Sequence, residues 1–343
     1  MNRLALAFTV LSASLLSGPA FAAGELKVYH WFEYMPPELV DKFEAETGID
    51  VTIDTYDSNE AMLASLKAGR LGEYDVAVPG DYMVEIMRNQ GLLDSFTPDE
   101  VPNFANIQEE WLDVPFDPGR KHSIPYQWGS TAFSVNRDVY KGDINTLAII
   151  FNPPEELKGR INVLDSQGEV LALASMYMGI PQCTQDRDQL KGLMDMLLGA
   201  KGSWASFGSD IAKDVLVSGD AAAGMIYNGF SAKARAEGAN VEYAYPKEGA
   251  VVWMDNVVLL KNAPNRGNAL IFMNFLLEPE NAAAVTNYAA YTAGVKGTEP
   301  FLNDTIKNSP ENNPPKGATF DFVKACDEET QRLYDTIWTN LKR

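Results

Sequence analysis

Four short segments of this chain join an aromatic ring to an acid or an amide: Trp31-Phe32-Glu33-Tyr34, Pro79-Gly80-Asp81-Tyr82, Met225-Ile226-Tyr227-Asn228-Gly229 and Trp253-Met254-Asp255. Aromatic faces attract a cation through their quadrupole, and carboxylates accept charge-assisted hydrogen bonds from ammonium groups. Gathered around one cleft, such pairs suit an elongated, multiply protonated amine. Taken singly, a Trp or Tyr at a strand end is an ordinary core residue, so the chemistry depends on the fold bringing the segments together.

The elements that must do this alternate in type. Leu26 to Trp31 is β-rich, and Pro36-Pro37 opens an amphipathic helix over 38–47 that stops at Gly48. Val51 to Tyr56 is a second strand. Asp57 or Ser58 caps a helix carrying Met62, Leu63 and Leu66 on one face. An apolar run from Tyr74 to Val78 reads as a third strand, followed by a helix over 82–89. This order predicts right-handed parallel units in a sheet covered on both faces. The pattern continues with strands at 159–164, 223–227 and 251–260 and helices at 169–178 and 267–277. A chain of 343 residues exceeds one comfortable core, and no repeat or flexible linker divides it, so two closely tied α/β lobes are expected. Ligands in such sheets bind at the carboxyl ends of strands, where three of the aromatic segments lie, while Trp253-Met254-Asp255 begins a strand.

Other chemistries lack their residues. There is no P-loop, G-x-G-x-x-G, G-x-S-x-G or H-E-x-x-H segment. His30 and His122 are the only histidines, and neither sits beside a recognisable nucleophile or metal-ligand spacing. We therefore expect no enzyme, no metal site and no cofactor. A net charge of −19 at pH 7 argues against nucleic acid as a partner. The two cysteines, Cys183 and Cys326, suit no zinc site, and the sequence leaves open whether they pair. At the N-terminus, Arg3, an apolar run from Leu4 to Leu16 and an Ala20-Phe21-Ala22 cleavage box read as a secretory signal peptide over 1–22. No cysteine near the cleavage point could take a lipid, so the expected product is a diffusible periplasmic protein.

At these residues the chain resembles the bacterial spermidine/putrescine-binding proteins, the periplasmic components of polyamine ABC transporters. The most specific segment is Tyr245-Pro246-Lys247-Glu248-Gly249 followed by Trp253-Met254-Asp255, with Gly224-Met225-Ile226 through Gly229 upstream. Tyr29 to Tyr34 with Pro36-Pro37, and Tyr74-Asp75 to Pro79, match the family's opening, and the likeness spans essentially the whole mature chain. It implies a type II periplasmic binding fold, two α/β lobes hinged around a ligand cleft. The expected lobes are 23–127 plus 251–296, and 128–250 plus 297–343. It also implies a monomer that hands its ligand to permease subunits in the inner membrane.

The resemblance assigns positions as well. Trp31 and Tyr34 would wall the amine's hydrocarbon, with Phe32 in the same loop, Glu33 as a nearby acid and Tyr82 on the second loop. Glu169 would hold one terminal ammonium and Asp255 an inner one. Ser209 would make a polar contact, while Tyr227, Trp253 and Tyr291 would complete the aromatic box. The sequence departs from the family at four positions. Phe32 replaces a small hydroxyl residue, Ser166 stands where the spermidine binders carry a second carboxylate, Gly80 replaces a serine and Tyr227 a tryptophan. Fewer acids would favour a shorter ligand, putrescine over spermidine, or a different amine. A ferric-ion carrier of the same fold is the alternative, because Tyr288 and Tyr291 lie close together in sequence.

Overall fold

The computed structural model describes residues 24–343, and the expected signal peptide lies outside them. Eleven strands form one curled, mixed sheet: β1 (Gly24–Trp31), β2 (Ile49–Tyr56), β3 (Val76–Ala77), β4 (Ser123–Asn136), β5 (Ile161–Val163), β6 (Trp204–Phe207), β7 (Ala223–Tyr227), β8 (Val241–Tyr243), β9 (Ala250–Leu259), β10 (Thr292–Ala293) and β11 (Phe320–Phe322). The main path runs β2-β1-β3-β9-β4-β7-β5-β6, with β8 and β10 pairing to β4 and β11 to β9.

Local sequence explains the first units. Pro37 at the start of helix Pro37–Thr47 has its ring's fixed φ already helical, and Gly48 ends the helix at φ 71° in the left-handed region. Ser58, not Asp57, caps the next helix by accepting from the Ala61 amide. As expected, β1 pairs in parallel with β2 and β3, and β5 with β6 and β7. The centre differs from the all-parallel expectation. The long strands β4 and β9 are antiparallel to each other, and β9 is antiparallel to β3. The third strand is also shorter than the apolar run suggested. Asp75, just before it, keeps backbone bonds to Lys27 and Leu260, and its carboxylate also accepts the Lys27 and Asn265 amides.

The buried apolar side chains fall into three large clusters. One joins Ala132–Val251 with Val323, Tyr334, Ile337 and Leu341 of the C-terminal segment. The other two draw on 26–126 together with 257–295. Strands β4 and β9 run through both groups, and their register slips between Pro125 and Gln127, where proline has no amide hydrogen to donate. Cys183 and Cys326 are paired, tying the segment before the C-terminal helix Glu328–Lys342 to the loop after helix Gln167–Met178. No helix of the described residues is long and apolar enough to cross a membrane.

Candidate functional site

Loops following β1, β3, β6 and β7, with part of β9, open onto one cavity of about 720 Å³, a volume that includes its open mouth. That lies within the range of roughly 300–1,000 Å³ usual for small-molecule sites. The strands end where they do for plain reasons: a proline or glycine follows within a few residues of β1, β3 and β6, and a helix begins directly after β7.

The aromatic wall is rigid. The Trp31 indole donates to the Val78 carbonyl (2.7 Å) and packs on Tyr56, whose hydroxyl donates to the same carbonyl (2.6 Å). Tyr34 is only 4% exposed and meets the edges of Tyr126 and Tyr291. Trp253 stands between Tyr291 and Tyr227, with ring centroids 4.9 and 6.0 Å away. Two glycines make this possible. A Cβ on Gly129 would fall 2.7 Å from the Trp253 ring, and one on Gly229 would fall 2.4 Å from the Tyr291 ring.

Three carboxylates are buried in the wall. Glu169 accepts hydrogen bonds from Thr131 and from the Tyr227 hydroxyl (3.0 Å), while the Trp253 indole donates to Thr131 (3.0 Å). Burial nevertheless pushes the Glu169 carboxyl above the usual range, the three hydroxyl partners around it pulling the other way. Asp81 accepts from the Met254 amide (2.8 Å) and the Tyr82 amide (2.6 Å), yet burial drives it up to about 7. Asp255, bridged through its backbone to Gly80, is 7% exposed. Burial raises it far above the carboxylate range, and the charges of Asp81 and Glu169 raise it further. The buried Tyr34 hydroxyl has no hydrogen-bond partner of good geometry, although Asp255 is close enough to disfavour its ionisation.

Among the described residues no lysine or arginine lines the cavity. A set of desolvated carboxylates without a basic partner is unfavourable when empty and becomes favourable around a cation. The aromatic faces between the carboxylates would take the apolar stretch of an organic cation.

All eleven residues singled out in the sequence line this cavity: Trp31, Phe32, Glu33, Tyr34, Tyr82, Glu169, Ser209, Tyr227, Trp253, Asp255 and Tyr291. Their environments differ. Phe32 is 44% exposed and sits at the mouth instead of narrowing the interior. Tyr82 reaches away from the acids named above to donate to Glu60 (2.8 Å). The Ser209 oxygen accepts the Asp165 amide (3.1 Å), and its hydroxyl lies within reach of Tyr227. The sequence reading did not assign Asp57, Asn59, Asp210, Phe230 or Val323 to the site, and it named Gly80 and Asp81 only within their aromatic-acid segment, without a ligand role.

Those residues add to the acids around the cavity. Ser166 is buried outside the lining, and six carboxylates line the cavity: Glu33, Asp57, Asp81, Glu169, Asp210 and Asp255. The tyrosine pair behind the ferric-ion alternative does not converge either. Tyr291 lines the cavity, whereas Tyr288 lies outside the lining, under the Lys233 ammonium at 4.7 Å. Among the described residues no group of three or more His, Cys, Asp or Glu is arranged to hold a metal ion.

Comparison with known proteins agrees with this geometry. Residues 38–314 match the profile of the family described as bacterial extracellular solute-binding protein. The spermidine/putrescine-binding periplasmic protein of Escherichia coli (strain K12) is 34% identical over 308 residues, covering 90% of this chain and 88% of that protein. A putrescine-binding periplasmic protein of Pseudomonas aeruginosa (strain UCBPP-PA14) is 33% identical, covering 96% and 95%. Among solved structures, a putative spermidine/putrescine ABC transporter protein from Listeria monocytogenes superposes with a TM-score of 0.87 at 29% identity, covering 93% of this chain and 98% of that one.

Proposed function

The chain belongs to the bacterial extracellular solute-binding protein family, and from that premise we propose that it captures a protonated polyamine in the cavity described above and delivers it to an ABC transporter permease. The observation that carries this reading is the cluster of buried Asp81, Glu169 and Asp255 in an aromatic wall that no basic side chain lines. Aliphatic amines, with pKa values near ~10, are charged at neutral pH. Each methylene between their charges gains about 0.8 kcal/mol when buried against the rings. Asp255 and Glu169 act as ammonium partners, and Trp31, Tyr34, Tyr227, Trp253 and Tyr291 as the box. Phe32, Glu33, Tyr82 and Ser209 complete the contact surface.

The protein works as a monomer in the periplasm and carries out no catalysis on its ligand. Its lobes are 23–127 plus 251–296, and 128–250 plus 297–343, with the chain crossing between them in β4, in β9 and again after Lys296. The division of buried apolar clusters on either side of those strands supports this arrangement. Ligand touches both lobes only when they close, so it binds that state more tightly and shifts the population toward it.

A thermal-shift screen of the mature chain tests the reading. Putrescine, cadaverine, spermidine, spermine and agmatine are compared with γ-aminobutyrate and ferric citrate. Ligand that binds only the folded state raises the melting point in proportion to RT ln(1 + [L]/Kd). A shift confined to one or more polyamines is the expected result; a shift with ferric citrate alone would sink it.

A further inference from the structure

One side chain of the cavity lining, Val323, comes from a segment with almost no packing of its own. From Asn313 to Cys326 it is the only buried residue, and the segment carries Pro314-Pro315 and Gly317. Part of it, β11, pairs with the start of β9 at Ala250–Val252, directly before Trp253, and Phe320 and Phe322 are each 38% exposed. So short a ladder with exposed side chains is marginal by itself. The loop after helix Gln167–Met178 is what fastens it. The Gln182 side chain donates to the Phe322 carbonyl (2.9 Å) and the Asp321 carboxylate (3.2 Å) and accepts the Lys324 amide (3.2 Å). The next residue, Cys183, is bonded to Cys326. Its backbone sits at φ 57° in the left-handed region, and its amide donates to the Tyr334 hydroxyl (2.8 Å) of the C-terminal helix.

Val323 and Tyr82 line the ligand cavity and also two outer cavities. One of these contains the disulfide and Gln182. The other is a groove of about 970 Å³, open mouth included, against Glu85, Trp111 and Phe116. The two side chains are therefore a partition. They meet over Gly168, where a Cβ would fall 3.2 Å from each, beside Glu169. We propose that the Cys183–Cys326 bond is the clasp of this partition, so that its oxidation state sets ligand affinity and the rate of ligand release. This rests on the polyamine reading above. A dithiol reductant undoes the clasp by exchange: its own sulfurs become joined, and its two protons go to Cys183 and Cys326, which leave as thiols. The C-terminal helix stays docked through Tyr334, Ile337 and Leu341, so reduction frees the strap before anything else. Once Val323 leaves Gly168, the ligand cavity opens into the outer groove and water reaches Glu169. Only molecules with the strap in place bind tightly, and the apparent affinity falls with their fraction.

The test uses the full mature chain, oxidised, reduced with dithiothreitol and re-oxidised, beside a Cys183→Ser/Cys326→Ser double variant, all well below the melting temperature. Both cysteines are half-buried, within reach of a small dithiol. Titration calorimetry reads putrescine affinity, stopped-flow tryptophan fluorescence reads release, and amide hydrogen exchange at Phe320–Phe322 reads the order of the strap. The expected result is an affinity loss of about fivefold or more on reduction and in the variant, carried by faster release and faster exchange in β11, and reversed by re-oxidation. Gln182→Ala keeps the bond and removes its neighbouring hydrogen bonds; it should move affinity the same way, and it serves where the double variant does not fold. A bond that only stabilised the fold would lower the melting temperature and leave binding alone. Putrescine affinity within about twofold of the oxidised protein after complete reduction therefore overturns the clasp. An oxidised protein that binds neither putrescine nor spermidine overturns the polyamine reading instead. Exchange in β11, measured without ligand, then decides the clasp separately, and exchange unchanged by reduction overturns it.

Discussion

Replacing Asp255 by Asn is the most searching perturbation, because it should move stability and affinity in opposite directions. The side chain is 7% exposed, and Asn keeps its size while removing the charge. In the empty protein the carboxyl is disfavoured by burial and by Asp81 and Glu169. Removing its charge therefore stabilises the unliganded fold, and the melting temperature rises. With ligand the sign reverses. Truncating one member of a desolvated charge pair costs about 2–5 kcal/mol of binding. At 1.4 kcal/mol per factor of ten, that is roughly thirtyfold to a few thousandfold in Kd for putrescine. Scanning calorimetry of the empty protein and titration calorimetry with putrescine read the two effects separately. An affinity loss under about threefold, or an unliganded variant less stable than the parent by over about 1 kcal/mol, would refute the reasoning. Either would mean that Asp255 holds the fold together and does not await a cation.

Three further outcomes follow from the same geometry. Asp81, raised in the fold to about 7 by burial, binds a proton more tightly folded than unfolded, so its contribution to stability is complete below its unfolded pKa and is lost as pH rises toward 7. Unliganded stability should thus fall between about pH 4 and 7, by up to roughly 4 kcal/mol for this group, and a melting temperature that stays flat across that range would contradict the assignment. Gly129→Ala would place a Cβ 2.7 Å from the Trp253 ring and 2.5 Å from the Asn228 Oδ1, so it should destabilise by about 1–3 kcal/mol and weaken amine binding, with a shift in tryptophan emission as the direct readout. Reducing the Cys183–Cys326 bond, which closes a loop 143 residues apart in sequence, should cost roughly 2–5 kcal/mol. An unchanged melting curve with and without reductant would show that the C-terminal segment is held by its other contacts alone.

What the sequence made legible depended on the range of the interaction. The helices that close on their own caps, such as Pro37–Thr47 with Gly48, were readable because every determinant lies within a dozen residues. The central antiparallel pair was not, since β9 enters the sheet beside β3 from far along the chain, and a local strand-helix-strand rhythm predicts only parallel neighbours. The same contrast runs through the site. Trp31, Tyr34, Trp253 and Asp255 stood out as aromatic-acid segments, and Glu169, Ser209 and Tyr291 through family likeness. Asp81 was named in the Pro79-Gly80-Asp81-Tyr82 segment but given no ligand role, because nothing local to that segment places its carboxylate in the cavity wall. Only its contact with the Met254 amide, from a strand 173 residues away, shows that it lies in the cavity wall. Asp57 read only as a helix-cap candidate and Asp210 was given no role, whereas the fold places both in the cavity lining. The Cys183–Cys326 pair was open for the same reason: proximity across such a separation is a property of the fold.

The buried acids also bear on how a clamp of this kind could be driven. Closing an empty cleft over Asp81, Glu169 and Asp255 removes their water and supplies only hydroxyl and amide partners, which burial outweighs at each of the three. An open cleft rehydrates them, so the empty protein is biased toward opening by the same groups that raise its specificity. A diamine changes both terms at once: its charges meet the carboxylates, and its methylenes occupy the space between the rings. A neutral solute of the same shape would fill that space and leave the carboxylates unanswered. Differential affinity for the two states is what lets a ligand shift such an equilibrium. On this argument, binding and closure draw on one set of residues, and the preference for charge and the conformational response cannot be altered independently.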